Sequence, residues 1–376
     1  MQNAERKCRG FVALLLVGLL FLFAACNGSR ELYDLGIVLG IGLDRSAEEG
    51  AVDMTLQLAS GLQGEPGGGM GGLQSGEAFI NYTLPGDVSL SHFRQFKLRM
   101  QKEVYLAHNE LFVIGEPLAR AGIGPYIDFF LRDPELRVST NILVAKGSAA
   151  ELLAAEAMLS EYPTLSLSQR EDSYPLSGAT SRCSLFDFVS AMASECRCAT
   201  VPMAELQAGA DGEPISVFNG LAIFRGDTMI GTLTQEEVSG LLFLTDAVRN
   251  GALRFSVDGS VVEVELQRSK TKLCYTVQED GTADILVTIR SGGRIVSRAG
   301  GAAERNSIIR AGETRMQEEM LMTLRRAQEL HADIFGFGDA IAKCEPDWWE
   351  VHGGNWEANL PRLRFAFDIV LEPGEL

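Results

Sequence analysis

Hydrophobic and polar residues alternate in two neighbouring segments near the start of the chain, and this pattern predicts a β-hairpin. Every second residue from Val52 to Leu58 is apolar, the period of a half-buried strand. Residues 35–43 are almost continuously apolar, and polar residues 44–50 form the turn between the two segments. The glycine-rich residues 61–76 lack the strand, helix and Lys-Ser/Thr pair of a phosphate-binding loop, so we interpret them as a flexible loop.

Helical and strand-like patterns alternate over the following hundred or so residues. The predicted helices cover residues 90–102, 117–131, 148–160 and 185–193, and the predicted strands cover 104–114 and 137–145. Residues 132–135 form a turn, and residues 162–181 are polar and read as irregular. This order predicts a mixed α/β layer domain.

Strand patterns dominate the second half of the chain and predict an antiparallel region. The predicted strands are 217–224, 228–233, 253–257, 261–266, 272–278, 284–290 and 363–371, and the predicted helices are 235–244 and 311–331. Gly226-Asp227, Asp258-Gly259 and Asp280-Gly281 supply hairpin turns. The apolar face of the long helix is expected to lie on the sheet.

The chain is longer than one hydrophobic core usually organises, so two or more domains are expected. We predict an α+β, multi-domain protein with antiparallel sheets. Its parts are a mixed α/β domain over residues 26–205 and an α+β domain over 213–376, with a sub-boundary near residue 250.

The N-terminus predicts export from the cytoplasm. Arg6, Lys7 and Arg9 precede residues 11–25 (FVALLLVGLLFLFAA), which carry no charge. This order is typical of a secretory signal peptide. An apolar run of about fifteen residues is shorter than the roughly 20 that cross a hydrocarbon core. We expect residues 1–25 to be removed, and an uncleaved anchor helix is the alternative.

The apolar run ends in Ala24-Ala25-Cys26, which resembles a lipobox. The resemblance implies cleavage before Cys26 and acylation of its thiol by chains such as palmitate. Two acyl chains suffice for stable membrane anchoring. The alternative is an ordinary secretory signal with an unrelated cysteine.

The charge of the chain limits its partners. Residues 1–25 carry a net +2, so their removal changes the formal net charge from −17 to −19. Such acidity argues against nucleic acid as a partner. It also argues against a broad contact with anionic lipid headgroups. The acyl anchor is therefore expected to attach the protein to the membrane.

The cysteines outside the signal peptide and the lipidation site are odd in number and loosely spaced: Cys183, Cys196, Cys198, Cys274 and Cys344. They do not form the framework of a small secreted domain. A disulfide from Cys183 to Cys196 or Cys198 stays open. The Cys196-x-Cys198 pair has no second Cys/His pair nearby to complete a metal site. No metal or cofactor is expected.

The chain lacks the HExxH, Walker-type, GxSxG and CxxC motifs that mark common enzyme classes. His108 lies in a strand-like segment and is interpreted as structural. A joint site of His331 and His352 is a weaker candidate. The three tryptophans form either an aromatic platform for a sugar or, as we favour, a plug at a domain end: Trp348, Trp349 and Trp356.

Five characteristic segments lie in a set order along the chain: residues 30–44 behind the lipobox, 115–122 (GEPLARAG), 128–137 (DFFLRDPELR), 220–224 (GLAIF) and 333–338 (DIFGFG) with Pro346, Trp348 and Trp356. Together they resemble the Ger(x)C-type spore germination lipoproteins, the C subunits of nutrient germinant receptors. The match runs almost end to end. Residues 335–338 (FGFG) are interpreted as a fold determinant that ends the long helix, with glycine supplying the positive φ that a helix C-terminus often needs.

This resemblance implies a non-enzymatic protein on the outer face of the spore inner membrane, acting with integral membrane receptor subunits in germination. Only Cys26 is carried over as a functional position. Residues 132–135 are interpreted first as a turn, in which Arg132 pairs with a nearby carboxylate, and second as a partner surface formed by Arg132, Asp133 and Glu135.

Two other functions compete with the receptor subunit. A solute-binding lipoprotein would need two similar lobes about a cleft, and the two halves of this chain have different orders of elements. A cell-envelope hydrolase would use the tryptophan cluster with a carboxylate pair such as Asp347 and Glu350.

Overall fold

The computed structural model describes residues 35–60, 78–86, 88–100, 102–155, 160–173, 180–210, 212–300 and 304–374. These residues form two β-sheets with helices packed on them. The strands of the larger sheet are β1 (Leu35–Arg45), β2 (Val52–Ala59), β3 (Phe79–Leu84), β4 (Glu103–Tyr105), β5 (Leu111–Gly115), β6 (Asn141–Ala145), β7 (Ala199–Ala208), β8 (Pro214–Arg225) and β9 (Thr228–Leu233). The smaller sheet contains β10 (Asn250–Val257), β11 (Ser260–Val277), β12 (Ala283–Gly300) and β13 (Arg364–Gly374).

The helices pack on both faces of the larger sheet and on the smaller one. In chain order they are α1 (Leu90–Met100), α2 (Glu116–Ala121), α3 (Gly124–Leu131), α4 (Ala149–Ala154), α5 (Pro163–Asp172), α6 (Leu185–Ala193), α7 (Gln235–Leu244), α8 (Arg305–Glu329), α9 (Phe337–Cys344), α10 (Pro346–His352) and α11 (Trp356–Asn359).

The larger sheet is parallel at its centre and antiparallel at its sides. Its order is β3-β2-β1-β5-β6-β7-β8-β9, and β4 also pairs with β1. Strands β1, β5, β6 and β7 run parallel, whereas the outer strands pair antiparallel. The predicted β1–β2 hairpin is confirmed, with Ile41 opposite Leu56. The glycine-rich loop predicted over residues 61–76 lies outside the described residues.

The single strand predicted over residues 104–114 is wrong, because two strands occupy this segment. Both pair parallel with β1, but the register changes from Leu35 opposite Glu103 to Gly40 opposite Leu111. The extra residues form a turn in which the Asn109 N–H donates to the Leu106 carbonyl at 2.9 Å. His108 therefore lies in a turn and not within a strand.

The helix predicted over residues 117–131 is divided into α2 and α3. Gly122 ends α2 with φ of +105°, a backbone conformation that favours glycine, and its N–H donates to the Leu118 carbonyl. The strand predicted over residues 137–145 begins only at Asn141. A turn precedes it, in which the Thr140 N–H donates to the Arg137 carbonyl at 3.1 Å.

The prediction that residues 162–181 are irregular is wrong over 163–172, which form α5, and residues 174–179 lie outside the described part. Pro163 occupies the first turn of this helix, where its missing N–H costs nothing. The buried face includes Thr164, whose hydroxyl donates to Gln57 Oε1 at 2.6 Å, and Glu171. Polar residues on the inner face concealed the helix. The preceding helix, predicted over 148–160, ends at Ala154, and residues 156–159 are outside the described part.

The smaller sheet joins two predicted strands into one. Residues 261–266 and 272–278 both belong to β11, which continues through an irregularity where Arg268 has φ of +55°. The turns at Asp258-Gly259 and Asp280-Gly281 are confirmed. Strand β13 pairs parallel with β12, so this region is not wholly antiparallel.

Helix α8 packs on the smaller sheet and begins six residues earlier than predicted, at Arg305. Its buried residues include Met316, Met320 and Leu324, which share the predicted apolar face. Two sheets with helices on them confirm the predicted mixed α/β architecture.

Strand β8 contributes to two hydrophobic cores. Ala222 and Phe224 lie in the core formed by the larger sheet with α1, α2, α3 and α6. Leu221 and Ile223 point to the other core, which α7, α8 and the smaller sheet complete. The predicted boundary between residues 205 and 213 falls between β7 and β8, which pair antiparallel in one sheet.

Candidate functional site

The amino-terminal ends of the central parallel strands meet at one edge of the larger sheet, which we call the amino edge. It contains Leu35 at the start of β1, the end of α1, and the loop from Arg132 to Val138 that precedes β6. Cys26, the predicted lipidation site, lies outside the described residues. The amino edge is the part of the fold at which the described chain begins.

The loop after α3 is held in place by its own backbone and side chains. Asp133 Oδ1 accepts the Glu135 N–H at 2.8 Å, an Asx-type turn of the kind that aspartate favours. Glu135 Oε2 accepts the Leu106 N–H at 3.5 Å, which links this loop to the turn between β4 and β5. Asp133 and Glu135 are half-buried and order the loop.

Of the three residues of the predicted partner surface, Arg132 is the one whose side chain is exposed to solvent. Its Nη2 lies 2.9 Å from Asp128 Oδ2 one turn earlier on α3, which confirms the predicted pairing with a nearby carboxylate. The two side chains are 77% and 63% exposed. An exposed i,i+4 pair of this kind contributes about 0.3–0.5 kcal/mol. Arg132 is therefore available to another molecule at little energetic cost.

Exposed apolar side chains surround this loop. Leu131 is 38% exposed, Val138 52% and Phe186 62%, and the Phe186 N–H donates to the Val138 carbonyl at 2.9 Å. Neighbouring exposed apolar side chains often mark an interaction surface. The sequence did not reveal them, because Val138 matched a strand pattern and Phe186 matched the apolar face of a helix.

The Asp333 carboxylate organises the DIFGFG segment. Its Oδ1 accepts the N–H groups of Phe335, Gly336 and Phe337, and its Oδ2 accepts those of Gly338 and the Trp356 ring, at 2.7–3.2 Å. Burial raises the pKa of Asp333, and these hydrogen bonds oppose that rise. All the groups around the carboxylate are donors from the protein itself. The segment is therefore a structural element, as the sequence predicted.

The expected role of this segment's glycine is wrong. We predicted that it ends the long helix, but α8 ends at Glu329 and His331 follows in the left-handed conformation, with φ of +52°. Gly336, with φ of +75°, instead precedes α9. The intervening residues reach from the end of α8 to β7, where the Cys198 N–H donates to the Asp333 carbonyl at 2.9 Å.

The tryptophans close the end of the second core. Trp356 is 3% exposed, and Trp348 Nε1 donates to the Gln278 carbonyl at 2.8 Å. Trp349 packs on Trp356 with ring centroids 5.2 Å apart. These positions favour the plug over a sugar-binding platform, since Trp356 is buried in the core and Trp348 and Trp349 are half-buried against it.

The two histidines proposed as a joint site have separate partners. His331 Nδ1 lies 2.9 Å from the Glu357 carbonyl oxygen. The His352 ring lies 4.9 Å from that of Trp348. Each contact accounts for its histidine in structural terms.

A cleft of about 320 Å³ lies between the end of α6 and helices α9 and α10. Cys196 Sγ and Ser194 Oγ both donate to Asp339 Oδ1, at 3.1 and 3.0 Å, and Trp349 lines the same cleft. Burial raises the pKa of Cys196 to about 12. A raised pKa disfavours the thiolate, the reactive form of a cysteine.

The remaining chemistry-bearing residues are dispersed. Cys183, Cys196 and Cys198 are free thiols, so the disulfide left open by the sequence does not form. Asp347 and Glu350 are exposed on α10. Within the described ranges, no cluster of His, Cys, Asp or Glu is suited to a metal, and no helix has the length and apolarity to cross a membrane.

Two family descriptions match this chain. They are "Spore germination protein N-terminal domain" over residues 28–206 and "Spore germination B3/GerAC like, C-terminal" over residues 219–371. The putative spore germination protein YfkR of Bacillus subtilis is 23% identical, with 89% of this chain and 88% of that protein aligned. Spore germination protein KC of the same organism is 25% identical, with 95% and 93% aligned.

A solved structure has the same fold. The structure titled "Crystal Structure of the GerBC protein" superposes with a TM-score of 0.59 at 17% identity, over 91% of this chain and 99% of that one.

Proposed function

Because this chain belongs to the spore germination protein family, we propose that it is the lipid-anchored C subunit of a nutrient germinant receptor. The observation that carries the proposal is the match of two consecutive family descriptions across nearly the whole mature chain. The family resemblance supports a non-enzymatic role.

The proposed attachment is acylation of Cys26 after removal of residues 1–25. It would hold the protein on the outer face of the spore inner membrane. The charge-free run before Ala24-Ala25-Cys26 supports this assignment. Two or three acyl chains supply the affinity that an acidic protein does not gain from anionic headgroups.

The proposed partners are integral membrane subunits of the receptor, contacted through Arg132 in the loop that Asp133 and Glu135 order. Arg132 is exposed, and Leu131 and Val138 beside it are exposed apolar residues. A guanidinium beside apolar side chains has the composition of a protein interface, in which arginine is enriched.

The two competing functions have less support. A solute-binding protein needs two similar lobes, but in the described part of this chain one sheet has nine strands and the other has four. A hydrolase using Asp347 and Glu350 would need a substrate cleft beside both, and the described cleft is lined by Asp339 and Cys196 instead.

The test is Cys26→Ala in spores, with membrane fractionation and nutrient-triggered germination scored on the same preparation. We expect release of the protein from the membrane and loss of the germination response. Cys274→Ala is the matched control, because Cys274 is an exposed free thiol elsewhere in the fold. Release without a germination defect would contradict the receptor role and leave the lipoprotein assignment intact.

A second arm of the same assay tests the partner surface. Arg132→Glu should keep the protein on the membrane but reduce its co-purification with the membrane subunits and the germination response. The control is Arg310→Glu on the exposed side of α8. Equal effects of the two variants would contradict a specific role of Arg132.

A further inference from the structure

The charges of this acidic chain are unevenly distributed. Residues 88–102 contain Arg94, Lys97, Arg99 and Lys102 and no carboxylate, whereas the whole chain has a formal net charge of −17. The net charge predicts no broad contact with anionic headgroups, and this segment is a local exception. The position of this basic segment in the fold determines whether its cations can reach anionic headgroups.

Most of this segment is α1, which buries one side and presents cations on the other. Phe96 is fully buried, whereas Arg94, Lys97 and Arg99 are exposed. Leu98 lies one helical turn after Arg94 and is 82% exposed, the largest value among the exposed large apolar residues. Leu98 is thus an exposed apolar side chain among cations and does not contribute to the hydrophobic core.

Intramolecular contacts neutralise this face only in part. Lys97 Nζ lies 3.5 Å from Glu103 Oε2, with side chains 61% and 40% exposed. Arg99 Nη1 donates to the Tyr82 hydroxyl at 3.3 Å, a neutral partner. The face stays positive, because a long exposed pair such as Lys97–Glu103 contributes little.

Helix α1 ends at the amino edge, beside the point where the described chain begins. Strand β4 follows α1 directly, and Glu103 of β4 pairs with Leu35, the first residue of β1. Cys26 precedes Leu35 by nine residues. Nine extended residues span at most about 30 Å. An anchor on Cys26 therefore keeps the end of α1 close to the lipid surface.

A second helix end accompanies α1 at this edge. Helices α1 and α3 pack side by side through Phe93 and Phe129, whose stacked rings have centroids 5.8 Å apart. Leu131 at the end of α3 is 38% exposed. Cations around exposed apolar residues are the composition of surfaces that rest in the headgroup layer.

We propose that the basic end of α1, formed by Arg94, Lys97, Leu98 and Arg99, lies against anionic phospholipid headgroups of the membrane that holds the protein. The cations bind phosphate groups, and Leu98 enters the boundary between headgroups and acyl chains. This orientation rests on the proposed anchoring through Cys26. It directs the amino edge, including Arg132, towards the membrane and its integral proteins.

The experiment places a reporter at the proposed contact. Lipidated protein carrying Leu98→Trp is reconstituted on vesicles with bromine-labelled acyl chains, made of phosphatidylcholine alone or mixed with phosphatidylglycerol. We expect the introduced indole to be quenched more strongly with phosphatidylglycerol, and the difference to shrink as salt is added. Val351→Trp is the control, because Val351 is 74% exposed on α10.

Neutralising the cations should remove the preference for the anionic vesicles. In the Leu98→Trp background, Arg94→Gln with Lys97→Gln should lower the ratio of contacting to non-contacting protein about fivefold for each cation removed. Both side chains are exposed, so thermal unfolding should not change. Sedimentation with the vesicles should also not change, because the acyl chains supply it.

Different results overturn different statements. Quenching equal to that of the Val351→Trp control, in protein that still sediments with vesicles, would overturn the orientation and leave the anchor intact. Loss of sedimentation would overturn the anchor instead. If the two glutamine substitutions leave quenching unchanged but reduce co-purification of the membrane subunits, this face binds protein and not lipid.

Discussion

Some polar side chains are buried in the protein interior, although their chemistry alone would place them at the surface. Glu171 is fully buried on α5, where its Oε1 accepts the Cys183 N–H at 3.0 Å and its Oε2 has no hydrogen-bond partner among the described residues. Burial raises the pKa of Glu171 well above its usual range. The acid is therefore protonated in the folded protein at a pH where the unfolded chain has ionised.

This difference predicts a pH dependence that Glu171→Gln should remove. Between the unfolded and folded pKa values the native state binds one more proton, so the free energy of unfolding falls by about 1.4 kcal/mol per pH unit. The contribution of Glu171 to the free energy of unfolding is fully present below the pKa that Glu171 has in the unfolded chain. It is lost as pH rises through the pKa that Glu171 has in the folded protein. Urea denaturation should show that Glu171→Gln destabilises the protein less at pH 8 than at pH 5, or that it stabilises the protein at pH 8. An unchanged pH profile would contradict this assignment.

The predicted pairing of Arg132 with a nearby carboxylate depended on local chemistry, and Asp128 one helical turn away confirms it. The expected role of the FGFG glycine also depended on local chemistry and is wrong, because α8 ends at Glu329, before the segment. The environment of Glu171 depends on residues distant in sequence, such as Cys183, and no local pattern records it.

At the scale of elements, the sequence predicted the Asp-Gly turns from local signals and failed where a strand is interrupted or continues through an irregularity. The Asp-Gly turns are present, whereas β4 and β5 are separated and β11 is continuous. Both errors have one cause. Hydrophobic periodicity records which residues are buried, but pairing with a neighbouring strand decides where the register shifts.

Hydrophobic periodicity also does not reveal contacts between elements, and Gly240 is an example. On α7 it faces α8, and a Cβ at this position would overlap Thr323 Oγ1 and the Glu319 carbonyl oxygen. Gly240→Ala should therefore force the helices apart and lower the free energy of unfolding by about 1–3 kcal/mol. The control is Gly251→Ala in β10, where a Cβ meets nothing within 4 Å. Equal unfolding midpoints for the two variants would contradict close packing of α7 on α8.

At the scale of the molecule, the order of elements and the family resemblance predicted the fold class, but not how the two sheets share residues. Consecutive residues of β8 enter different cores, with Ile223 in one and Phe224 in the other. Strict alternation along a strand with both faces buried gives this result. The sequence could not assign the second face, because the elements that cover it come later in the chain.

This sharing predicts that the two regions unfold together. Phe224 is fully buried against Phe188, with ring centroids 5.1 Å apart, in the core of the larger sheet. All three tryptophans lie in the C-terminal region, beyond residue 347. Phe224→Ala should lower the free energy of unfolding by about 3–5 kcal/mol. The tryptophan fluorescence transition in urea should shift with that of circular dichroism, although the substitution is in the other core.

The matched control is Phe186→Ala, which removes an equally large ring that is 62% exposed. Its free energy of unfolding should change by no more than about 0.5 kcal/mol. If Phe224→Ala shifts the circular dichroism transition but leaves the fluorescence transition in place, the regions unfold independently. Strand β8 would then join the two cores without coupling their stability.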